Sequence, residues 1–156
     1  MLPTKAIQVY TDGSCHTQLC IGAWAAIIFI GDVKIILSGI EKNTTHNRME
    51  LIAVIKALEY IEQNEQAALI TVVTDSQYVT GLPARQQKFI VQNFTTNKGN
   101  EICNAALVKE LLALLDKVPV TLQKIKAHQK ITAETNYNIE ADKLSRSLVR
   151  HAVKGL

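Results

Sequence analysis

No stretch of this chain approaches the roughly 20 unbroken apolar residues that a membrane-spanning helix requires. The longest candidate, WAAIIFI, is closed by Gly31 and Asp32. No basic segment followed by an apolar core and a cleavage site opens the chain, so neither secretion nor a membrane partner is expected. Cysteine is scarce: three residues, an odd number, form no disulfide framework, and a reduced, cytoplasmic setting is the expectation. Strong charge of one sign is missing too. A net charge of +3 and a pI near 8.8 permit a polyanionic partner without demanding one. No internal repeat, low-complexity tract or linker divides the 156 residues, which are enough to bury the core of one domain spanning 1–156. What remains, 47% hydrophobic and 20% charged, is the composition of an ordinary globular protein.

The periodicity changes along the chain. KAIQVYTD alternates apolar and polar residues, as a strand with one buried face does. GAWAAIIFI and VKIILSG follow, joined by Gly31-Asp32, a two-residue hairpin signal, so an antiparallel meander is expected. NRMELIAVIKALEYIEQ then has good helix formers with apolar residues three and four apart, and Asn47 reads as its N-cap. ALITVVTD reads as a buried strand, and a strand after a helix implies a parallel crossover. A short helix over Ser76–Thr80 is stopped by Gly81 and Pro83. EICNAALVKELLALLDK reads as a helix, VTLQKIKA as a strand, and Asn138 to Lys154 as a last amphipathic helix. The order β-β-β-α-β-α-α-β-α predicts an α/β fold, a mixed five-stranded sheet flanked by helices.

Four acids stand at telling places in that order. Asp12 ends the first strand and Asp75 the fourth; if these strands are neighbours, both project from the sheet edge where open α/β sheets place ligands. Glu50 falls in the first turn of the helix after the meander, on a stripe with Ala53, Ala57 and Ile61, so it can face the sheet above small residues. Asp142 falls in the first turn of the last helix. Taken singly, each has a local explanation as a turn residue, a cap or a partner of the helix dipole. Taken together, four carboxylates at one point would repel and raise one another's pKa values. A hard divalent cation resolves the repulsion with oxygen ligands. Two such ions about 4 Å apart clamp an in-line attack on a phosphodiester, so the cluster implies phosphoryl chemistry.

YTDGSC, TTHNRMELIAVIKALE, TDSQYV and NIEADKLSR occur in the order seen in type 1 ribonuclease H, and the chain resembles that family from about residue 5 to 150. The resemblance implies the ribonuclease H-like fold and an endonuclease that hydrolyses the RNA strand of RNA–DNA hybrids with Mg²⁺, or Mn²⁺ in its place. Ends would be 5′-phosphate and 3′-hydroxyl. Asp12, Glu50, Asp75 and Asp142 match the family's metal-binding acids. His128, in KAHQK, matches a loop histidine associated with proton transfer or product release. No Gly precedes His128, and the run from it to Asp142 is long, which looks more like retroviral ribonuclease H domains. A domain from a reverse transcriptase is therefore an alternative to a free-standing enzyme, and a binding module without turnover is opposed by the presence of all four acids.

By the same likeness, Asn47, Gln77 and the backbone around Cys15 would contact sugars and base edges in the minor groove, where the 2′-OH distinguishes RNA from DNA. Thr45 and Asn104 match positions near a DNA-strand phosphate pocket, while Asn43 and His46 depart from the residues common there. Zinc is not expected at CHTQLC, because Cys15, His16 and Cys20 supply at most three ligands with no partner pair elsewhere. Cys20 and Trp24 read as core. The stretch ARQQKFIVQNFTTNKGN occupies the place of a basic protrusion but carries only Arg85, Lys88 and Lys98. Phe89 and Phe94 read there as packing residues, and a modest salt dependence of binding follows. No obligate protein partner is evident, and a monomer is expected.

Overall fold

The computed structural model describes residues 5–65, 68–126 and 137–156. Five strands form one sheet: β1 (Lys5–His16), β2 (Ile21–Ile30), β3 (Val33–Glu41), β4 (Ala68–Thr74) and β5 (Val120–Lys124), in the order β3-β2-β1-β4-β5. The first three pair antiparallel, and β4 and β5 join in parallel. Gly31 and Asp32 make the expected two-residue hairpin, with Ile30 opposite Val33. The helices are α1 (His46–Asn64), α2 (Gln77–Gly81), α3 (Gln86–Val91), α4 (Ala105–Lys117) and α5 (Tyr137–Lys154), with a 3₁₀ turn at Pro83–Arg85. None is long and apolar enough to cross a membrane.

The main core lies between the sheet and α1 with α4. Ile7, Val9, Ile28 and Val72 from the strands meet Leu51, Val54, Leu58 and Ile61 from α1, and Leu111 from α4. Each such burial contributes about 1.5–3 kcal/mol relative to leaving the side chain in water. Helix α5 covers the opposite face, setting Ala141 and Leu144 against Ala25 and Ile27. Tyr137 joins Tyr10 and Phe29 in an aromatic cluster with ring centroids 4.4–6.1 Å apart.

Several local expectations give way to the tertiary structure. The cap of α1 is Thr45, whose hydroxyl accepts from the Arg48 amide at 3.2 Å, and Asn47 lies inside the helix. Strand β1 runs past Asp12 to His16, because β2 pairs with it along that whole length. Helix α4 starts at Ala105 rather than near Glu101, since Asn104 takes a left-handed conformation (φ 58°) and Thr95 bridges Glu101. A further short helix, α3, occupies Gln86–Val91. Cys20 is exposed in the β1–β2 turn at φ 54°, not in the core, and Trp24 is only half-buried. Phe89 is buried and stacks on Phe94 at 5.7 Å, as packing residues do.

Candidate active site

Parallel pairing of β1 with β4 ends at Tyr10 opposite Val73. Asp12 and Asp75 each lie two residues beyond that pair, so the register carries both to the same height at one sheet edge. Glu50 reaches them from α1, and Gly13 makes this possible. A Cβ at Gly13 would lie 2.7 Å from the Glu50 amide nitrogen and 2.8 Å from Met49, so only a bare backbone lets α1, which starts at His46 and carries Glu50 just past its first turn, come this near β1. On the other side, Asn138 donates to the Thr11 carbonyl at 3.2 Å, and the Ser14 and Ser145 hydroxyls share a hydrogen bond of 2.9 Å. These tie α5 to β1 and put Asp142 beside Asp12.

One oxygen from each of Asp12, Glu50 and Asp75 lies within 4.8 Å of the others. Asp142 is within hydrogen-bond reach of Asp12 but outside that trio, with one oxygen 3.0 Å from the Arg146 guanidinium. Asp12 is 2% exposed and Glu50 1%, so these charges are largely cut off from water. Burial, then the neighbouring Glu50, Asp142 and Asp75 carboxyls, push Asp12 up to about 10. Burial raises Glu50 as well, opposed by a hydrogen bond from His46. The His46 Nε2–H is shared between the Gly13 carbonyl at 2.9 Å and Glu50 Oε1 at 3.1 Å, and the bond to Glu50 raises the imidazole's own pKa.

The other Glu50 oxygen, Oε2, is buried without a hydrogen-bond partner. Leaving a carboxylate oxygen so is costly unless a further positive group meets it. An all-oxygen, multiply anionic donor set with one such orphaned atom fits a hard divalent cation of the Mg²⁺ or Mn²⁺ type. Among the described residues, the cysteines take part in no comparable cluster. Burial and the neighbouring Cys20 raise the Cys15 thiol, which disfavours its nucleophilic thiolate form. The acids line a cleft of about 720 Å³ whose walls come from β1, α1, α2 and α5.

The family model described as RNase H matches residues 4–150. The ribonuclease H of Caldicellulosiruptor saccharolyticus is 35% identical over 94% of this chain and 97% of its own length. That of Wolbachia sp. subsp. Drosophila simulans is 34% identical over 93% of this chain and 96% of its own. The chain belongs to the ribonuclease H family. Among solved structures, LC9-RNase H1, described as a type 1 RNase H with the type 2 active-site motif, superposes with a TM-score of 0.81 at 23% identity. It covers 97% of this chain and 75% of that one, a likeness of fold.

In this ribonuclease H, Cys15, Asn47 and Gln77 line the same cleft as Asp12, Glu50, Asp75 and Asp142. Thr45 and Asn104 fall outside the lining: Thr45 caps α1, and Asn104 opens α4. His128 lies outside the described residues. Among the cleft residues that sequence reasoning did not place in the site are His46, Arg146 and Arg150. Helical spacing held the signal. His46 precedes Glu50 by one turn, and Arg146 and Arg150 follow Asp142 by one and two turns.

Proposed function

We propose that this ribonuclease H hydrolyses the RNA strand of RNA–DNA hybrids with two Mg²⁺ ions, Mn²⁺ substituting, and leaves 5′-phosphate and 3′-hydroxyl ends. The observation that carries this reading is the trio of acidic oxygens within 4.8 Å, one of its carboxylates keeping a buried oxygen with no partner. Asp12 and Asp75, from the ends of adjacent strands, would hold both ions, with Glu50 on the side of the attacking water and Asp142 completing the ligands of the other ion. When bound, such a pair lowers the pKa of water and takes up charge on the leaving 3′-oxygen.

The protein's own groups do the positioning. His46 holds Glu50 Oε1, while Oε2 stays buried with no hydrogen-bond partner of its own. Arg146 holds one oxygen of Asp142 and so limits its rotation. Cys15, Asn47 and Gln77 present small groups where a ribose 2′-OH would pass, the feature that separates RNA from DNA. Thr45 and Asn104 would face the DNA strand, and His128 would assist proton transfer. The enzyme would act as a single-domain monomer.

The test is a labelled hybrid with Mg²⁺, the wild-type protein and Asp75→Asn. Internal cuts confined to the RNA strand, absent from the variant, are expected. Cleavage of both strands, or full activity of Asp75→Asn, would overturn the reading.

A further inference from the structure

Helix α5 contributes one continuous stripe to the cleft: Asp142, Arg146, Val149 and Arg150, at spacings of four, seven and eight residues. Such residues share a helix face. Along it the charge changes sign, from the carboxylate beside Asp12 to two guanidinium groups roughly 6 and 12 Å further along the axis. Arg146 is engaged with Asp142. Arg150 is exposed and, among the described residues, makes no ion pair. The same cleft is lined by Ser14, Cys15 and His16 at the end of β1 and by Thr17 just beyond it, and β1 is tied to α5 by the Ser14–Ser145 hydrogen bond. The cleft lining therefore joins the acidic centre to small polar groups from β1 and to an exposed cation on α5.

A phosphodiester strand fits that pattern. Its sugars would pass the small residues of β1, and its phosphates would meet a planar, permanently charged donor fork. The cations expected at the protrusion, Arg85, Lys88 and Lys98, lie outside the lining of this cleft. Of these, Arg85 also lies over the Phe89 ring at 4.7 Å, which engages it in packing.

We infer that Arg150 is a phosphate-binding residue for the RNA strand, gripping it through a backbone phosphate beyond the scissile bond on the α5 side of the cleft. The RNA strand is assigned because Arg150 and Asp142 share one helix face, so the strand being cut reaches both without crossing the groove. This rests on the hybrid-nuclease reading and adds to it which surface holds the substrate.

The test measures binding of a short RNA–DNA hybrid in an Asp75→Asn background, where no cutting occurs, between about 50 and 200 mM salt. Adding Arg150→Ala should weaken affinity roughly two- to fivefold, as loss of one exposed ionic contact does. It should also make the log–log salt slope shallower by about one. Arg150→Lys should restore the slope, and Arg150→Glu should weaken binding further, while melting temperatures stay level. Neutral methylphosphonate linkages placed singly in the RNA strand should reproduce the loss at one position, and that position should fall silent in Arg150→Ala. In the otherwise wild-type enzyme the loss should fall on KM more than on kcat. An unchanged slope in Arg150→Ala overturns the inference, as does a sensitive linkage found in the DNA strand. If the protein with Arg150 intact binds no hybrid at all, the hybrid-nuclease reading fails first and this inference with it.

Discussion

Replacing Asp12 by Asn should stabilise the metal-free protein. The Asp12 carboxyl is buried among three other acids, which raises its pKa from 3.8 to about 10 in the folded state. At pH 8 the folded chain must therefore take up a proton that the unfolded chain lacks. At about 1.4 kcal/mol for each of roughly four pH units, this costs at most ~6 kcal/mol. Because the buried Glu50 carboxyl beside it titrates together with Asp12, about half that ceiling is the expected gain for Asp12→Asn. For a domain of this size that is a rise in Tm of about 6–12 °C. The sign with pH follows from the folded state binding the extra proton. The favourable contribution is complete below about pH 4 and is lost as pH rises toward 10. Thermal denaturation in EDTA from pH 5 to 8 should show the wild type losing stability as pH rises and Asp12→Asn losing less. Millimolar Mg²⁺ or Mn²⁺ should raise the wild-type Tm and leave the variant nearly indifferent. A wild-type profile flat with pH, or a variant less stable than wild type at pH 8 in EDTA, would refute the reasoning.

Gly13→Ala should cost roughly 1–3 kcal/mol in chemical denaturation, because its methyl would collide with the backbone of Met49 and Glu50. The same substitution should weaken Mn²⁺ binding measured by calorimetry, since α1 must withdraw and carry Glu50 away. His46→Ala frees Glu50 Oε1 and should lower Mn²⁺ affinity roughly 10-fold or more. His46→Gln, able to donate to the same oxygen, should recover part of it; equal affinity for all three proteins would remove His46 from the site.

Most of the elements were legible because their signals are local. The alternation in KAIQVYTD, the Gly31-Asp32 turn and the three-and-four spacing in α1 act over a few residues, and the structure follows them. The stripe Glu50, Ala53, Ala57 and Ile61 is buried along its length, as its periodicity implied. Helix starts were less legible. Asn47 and Thr45 both carry capping groups, and the hydrogen bond to Arg48 selects Thr45. The left-handed backbone at Asn104 trims α4 from a longer helical pattern.

By itself, the sequence determined the order of elements, which acids stand near their ends and, through the RNase H likeness, the family the chain belongs to. Only the tertiary structure decided how the acids meet. The distance between Asp12 and Glu50 depends on Gly13 lying under α1. The shared height of Asp12 and Asp75 depends on a strand register, and the place of Asp142 on α5 docking through Asn138 and Ser145. Periodicity says which face of an element is apolar, because that depends on neighbours along the chain. Which charges end up ångströms apart depends on contacts between residues far apart along the chain, from Gly13 and Glu50 to Ser14 and Ser145, and only packing sets those.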